Sequence, residues 1–152
     1  MIDTDKNLLA ELRKDMAELE IAIDGLKMSF DKCSHIGIRN YYNFEEQESF
    51  DSLTSKFGRT SDIYTQRILK TILLLLRENP KSFIDRANLA EKLEIISSAD
   101  DLLVVRDLRN EIVHEYVSAE LSRIYREVLN QYSNLIDAIV MTKKFIEQRG
   151  WR

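Results

Sequence analysis

A chain of 152 residues has the size of one domain and is long enough to bury a substantial core. Its formal net charge of −4 excludes a surface coated in basic residues for indiscriminate nucleic-acid binding, although a local basic groove stays compatible with it. Four glycines and one proline are too few breakers for a fold of many short strands and turns, so long helices are expected.

The opening Met-Ile-Asp-Thr-Asp-Lys has no basic stretch leading into an apolar block, so no secretory signal is expected. Residues 5–32 predict a first helix, with Leu8, Leu9, Leu12, Met16, Leu19, Ile23, Leu26 and Phe30 forming one stripe at spacings of three and four. Lys14, Asp15, Glu18 and Glu20 are expected on its solvated faces. Residues 33–47 lack a clean period and read as a loop or a frayed turn, with Cys33 as a small, partly buried hydrophobe. A lone cysteine cannot form an internal disulfide, which suits a reducing compartment.

A second, longer helix is expected over about 47–78, with Phe50, Leu53, Phe57, Tyr64, Ile68, Ile72, Leu75 and Leu76 as its stripe. Gly58 interrupts it and marks either a kink or the close approach of another helix. Asn79-Pro80 is expected to stop it, because the residue before proline disfavours the α conformation. The run Thr71-Ile-Leu-Leu-Leu-Leu76 is too short to span a bilayer and reads as a buried segment, so no membrane association is expected and the protein is expected to be cytoplasmic. A third helix should cover about 81–95, carrying Phe83, Ile84, Leu89 and Leu93, with Ile96 just beyond. Ser97-Ser98 supplies N-cap candidates for a fourth, and the last should run from about 118 to 148 and stop at Gly150. The stripe of the last helix is Leu121, Ile124, Val128, Tyr132, Leu135, Ile139 and Ile146. The expected fold is therefore all-α, one domain over residues 1–152, arranged as an antiparallel bundle of four or five helices.

The chemistry-bearing side chains concentrate in the fourth helix, in Leu108-Arg-Asn-Glu-Ile-Val-His-Glu-Tyr-Val117. At about 100° per residue, Leu102, Val105, Ile112, Val113 and Tyr116 point one way, and Arg109 falls in the middle of that apolar face. Asn110 and His114 share a neighbouring face, shifted towards solvent. An arginine on an apolar face is costly unless its charge is paired or lines a wet cleft. Pairing would come from an acid on another helix such as Glu91, or from nearby Asp107.

Arginine and histidine together suit metal-independent RNA cleavage. A ribose 2′-hydroxyl attacks the adjacent phosphate once histidine, with its near-neutral pKa, removes the proton. Arginine meets the negative charge that builds on the phosphate. One copy supplies one base and no evident acid for the leaving oxygen, so two copies facing each other form part of the expectation. There is no His-x-x-x-His or Cys-x-x-Cys, no glycine-rich phosphate loop and no serine-nucleophile motif, so neither metal nor cofactor is expected.

Arg109, four residues, His114, one residue, Tyr116 resembles the signature of the HEPN family, in its HepT-like toxin branch. Residues 50–66 are similar to that family's second helix, and 92–116 to its third and fourth. The resemblance implies a dimerising bundle with a composite ribonuclease site in which Arg109 and His114 are catalytic and Asn110 supports them. It further implies that Tyr116 is adenylylated by a cognate minimal nucleotidyltransferase antitoxin, which silences the toxin. Val113 and Val117 depart from the small and turn residues common at those places. The alternatives are a non-catalytic nucleotide- or substrate-binding subunit of that nucleotidyltransferase, and a purely structural bundle. The apolar-face placement of Arg109 counts against the last.

Overall fold

Each apolar stripe becomes a helix, and the helices bury their stripes against one another. The computed structural model describes residues 3–114 and 118–151. In chain order these form α1 (Asp3–Ile36), α2 (Phe44–Asp62), a π-helical turn (Ile63–Ile68), α3 (Leu69–Leu75), α4 (Phe83–Lys92), α5 (Ala99–His114) and α6 (Ser118–Gln148), with no strand among the described residues. No helix among them is long and apolar enough to cross a membrane.

α1 packs along α2, the π turn and α3, while α5 fills the space between α2, α4 and α6. Leu12, Leu26, Phe50, Leu53, Phe57, Ile68, Ile72, Val105 and Val128 are fully buried where these faces meet. Burying one such side chain contributes about 1.5–3 kcal/mol, whereas an exposed ion pair contributes about 0–1 kcal/mol. The apolar layer therefore holds the bundle, and the ion pairs on its surface are available to shape a site.

Local signals set the helix ends. α2 starts in a capping box: the Asn43 side chain accepts from Glu46 N–H, and the Glu46 carboxylate accepts from Asn43 N–H. The expected irregular stretch therefore narrows to residues 37–43, since α1 runs on to Ile36 and α2 begins at Phe44. Tyr42 anchors the connection, its ring meeting those of Phe50 and Tyr125 at 5.0 and 5.5 Å between centroids. Ser98 caps α5 by accepting from Asp101 N–H, as expected from the sequence.

The second helix departs most from expectation. It is not a regular rod from 47 to 78, and Gly58 marks neither its irregularity nor a close approach. A Cβ placed at Gly58 would meet no atom within 4 Å. The irregularity is instead the π turn beginning at Ile63, where Leu69 N–H reaches back five residues to the Tyr64 carbonyl. Nor does Asn79-Pro80 end it. The chain leaves the helix after Leu75, with Arg77 in the left-handed region (φ 64°) and Glu78 N–H closing on the Leu73 carbonyl. Arg77 then forks onto Asp5 at 2.9 and 3.0 Å, pinning α3 to the start of α1.

Two further expectations are corrected. Asp15 is buried rather than solvated, because position 15 lies in the same row as Leu12, Leu19, Ala22 and Leu26. Burial raises its carboxyl pKa, an effect opposed by the charge of Arg67. Ile84 is exposed, while Ala87 and Ala90 form the buried face of α4. Cys33 is wholly buried, and desolvation pushes its thiol up to about 11, the character of an inert core residue.

Candidate functional site

A cleft of about 970 Å³ opens between α2 with its π turn and the C-terminal half of α5. Arg59, Arg67, Arg106 and Arg109 all line it, alongside the acids Glu18 and Asp62. Four guanidiniums in one cleft of an acidic chain form the local basic groove that net charge alone could not exclude.

Arg109 is held from below. Its Nε donates to Asp62 Oδ1 at 2.7 Å and its Nη2 to Oδ2 at 2.8 Å, a two-pronged clamp that fixes the guanidinium plane. Nη1 donates to Asn110 Oδ1 at 3.3 Å. The side chains of Arg109 and Asp62 keep 26% and 36% exposure, so the pair is wet enough to meet a ligand. The acid that pairs Arg109 is thus neither Glu91 nor Asp107. Glu91 accepts from Ala99 N–H at the start of α5, and Asp107 is exposed.

Asp62 is the last residue of α2, and a π turn begins at the next residue. Within that turn, Gln66 and Arg67 line the cleft as well. Its backbone is braced from α4, where Arg86 Nη1 donates to the Thr65 carbonyl at 3.1 Å. From α6 it is braced through Tyr64, whose hydroxyl lies 2.7 Å from Thr142 Oγ1, itself donating to the Ile95 carbonyl. These bonds tie the π turn to α4 and α6.

The remaining arginines differ in their partners. Arg67 meets Glu18 at 2.9 Å and Asp15 at 3.5 Å. Its hydrogen bond is the main reason the Glu18 carboxyl sits below its usual range, with the charges of Arg67 and Arg59 adding to it. Arg106 stacks over the Phe83 ring at 5.0 Å. Among the described residues neither Arg59 nor Arg106 forms an ion pair.

The structure brings Arg109 and Asn110 together but does not add His114 to them. His114 is the last residue of α5, exposed and outside the cleft lining. It lies five positions after Arg109, which puts the two about 140° apart around the helix axis. It shares a face with Asn110, one turn away. Ile112 packs against the core as expected and also lines the cleft, whereas Val113, expected on the same stripe, is 40% exposed at the cleft. Tyr116 lies outside the described residues.

Asp62 and Arg106 were not singled out by sequence reasoning. Arg106 had a readable signal, one turn before Arg109 on the same helix. Asp62 had only the polar run Arg59-Thr-Ser-Asp62 within an otherwise apolar stripe. Lys70, by contrast, is exposed and does not line the cleft. Comparison of the chain with family models, with curated proteins and with solved structures finds no match.

Proposed function

We propose that this protein is the toxin of a toxin–antitoxin module, a metal-independent RNA endonuclease acting as a homodimer. The observation that carries the reading is Arg109 clamped by Asp62 in a cleft lined by three further arginines, within the Arg109–His114 motif. A phosphodiester is the ligand such a cleft suits, because guanidinium forks match phosphate oxygens and stabilise the charge that develops during transfer.

The exposed position of His114 shapes the proposed chemistry. A histidine outside the cleft lining of its own chain is well placed to serve a site completed by a second copy, and exposed Val113 beside it is an apolar position that such a copy would cover. In the proposed step, one His114 takes the proton from a ribose 2′-hydroxyl, and the 2′-oxygen bonds to the adjacent phosphorus. The bond to the 5′-oxygen breaks, and that oxygen takes a proton from the His114 imidazolium of the second copy. The products are a 2′,3′-cyclic phosphate and a 5′-hydroxyl, with Arg109 balancing the phosphorane charge and Asn110 orienting it. Adenylylation of Tyr116 by a partner nucleotidyltransferase would silence the site by adding bulk and negative charge near the motif.

The placement of His114 outside the lining also favours a second reading, a non-catalytic subunit that holds nucleotide for such a partner. Expression separates the two. Wild type should arrest the growth of host cells, His114→Ala should relieve the arrest, and the control Lys70→Gln should remain toxic. Growth unaffected by high levels of wild type would overturn the toxin reading and favour the binding subunit.

A further inference from the structure

The four cleft arginines fall into two classes, and their order along the cleft has a consequence for the ligand. Glu18 and Asp62 neutralise Arg67 and Arg109, leaving the positive charge of the cleft on Arg59 and Arg106. Those two are not neighbours. α2 and α5 run antiparallel across the cleft. Arg86 of α4 reaches Thr65 and Gln66, while Arg106 stacks on Phe83 one turn away from Arg86, which places Arg106 at the π-turn end. Asp62 meets Arg109 midway. Arg59, one turn before Asp62, therefore falls towards the end of the cleft lined by Ile112 and Val113. Arg59 and Arg106, unpaired among the described residues, are thus each three residues, roughly 4.5 Å of helix rise, from the central rung, on opposite sides of it.

We infer that the cleft is a groove that tracks one RNA strand, with Arg59 and Arg106 holding the phosphates on either side of the one at Arg109. The inference takes RNA as the ligand from the ribonuclease reading, and its own content is the path of the strand along the cleft and the division of labour among the arginines. Arg59 and Arg106 supply ground-state attraction. Arg109, already neutralised, contributes little to binding and acts on the charge that appears during the reaction. A single row of cations follows one backbone, whereas a duplex would require contacts to two. Half-buried Ile112 lines the same cleft and offers an apolar face to an unstacked base.

The test is the salt dependence of binding to a 2′-O-methyl oligoribonucleotide, which cannot be cleaved. Arg59→Gln and Arg106→Gln should each lower the slope of log K against log salt by about 0.7, the value for one single-strand phosphate contact. Arg106→Lys, which keeps the charge but loses the ring stacking, should retain the wild-type slope, and so should Lys70→Gln. On the wild-type protein, an uncharged methylphosphonate at either linkage flanking the central one should reproduce the corresponding loss without any change to the chain. Unchanged slopes in both Gln variants, or no effect of the flanking methylphosphonates, would overturn the groove. A mononucleotide binding as tightly as the strand would also overturn it, in favour of a single-nucleotide pocket. Arginine-dependent binding without cleavage would overturn the nuclease reading alone, and cleavage with unchanged slopes the groove alone.

Discussion

Arg109→Ala is expected to slow RNA cleavage by about 10²–10³-fold, the usual cost of removing one preorganised donor from a developing oxyanion. Arg109→Lys should recover little of it. Lysine is a point charge that cannot grip both oxygens of Asp62 while facing a phosphate, and the two-pronged clamp at 2.7 and 2.8 Å is what fixes the arginine's direction. Single-turnover cleavage by variants of matched folding checks this. Full activity in the lysine variant would show that charge alone suffices and that the clamp has no catalytic consequence.

Asp62→Asn should separate turnover from binding. The amide keeps one acceptor for Arg109 but loses the symmetric fork, and a guanidinium displaced by about 1 Å costs on the order of 10² in rate. The same substitution removes a negative charge from the arginine-lined cleft, so KM should hold or fall while kcat drops. A role for Asp62 in folding alone would predict a lower melting temperature and activity reduced only in proportion to the folded fraction. Measurement of kcat, KM and thermal unfolding on one preparation distinguishes the two.

The sequence carried the helices well where the apolar period was long. The last helix spans Ser118–Gln148, within the limits its stripe suggested, and Ser98 caps α5. It was less legible where two signals competed. The stripe of the second helix continues through Tyr64, Ile68 and Ile72 whether or not a π turn intervenes, because one extra residue in a broadly buried face leaves no polar mark. Asn43 with Glu46 was a readable capping box, overshadowed by the aromatic and glycine content around it. Asp15 looked solvated because charge type outweighed position, although its row with Leu12 and Leu19 placed it inside.

The site was legible in part for a related reason. Arg109 on an apolar face implied a partner or a wet cleft, and the structure supplies both. The identity of the partner was not recoverable from local pattern, since Asp62 lies 47 residues away on another helix. His114 could not be assigned to the cleft from spacing either. Helical geometry sends it to another face, so its chemistry depends on a second copy in the proposed mechanism.

The most direct measurement is cleavage of RNA by the wild-type protein in EDTA, with the ends of the products identified and His114→Ala as the paired control. The proposed His114 ribonuclease should cleave without divalent metal, leave 2′,3′-cyclic phosphate and 5′-hydroxyl ends, and lose activity in His114→Ala. Failure of the folded wild-type protein to cleave, cleavage abolished by EDTA, or an undiminished His114→Ala variant would contradict the proposal.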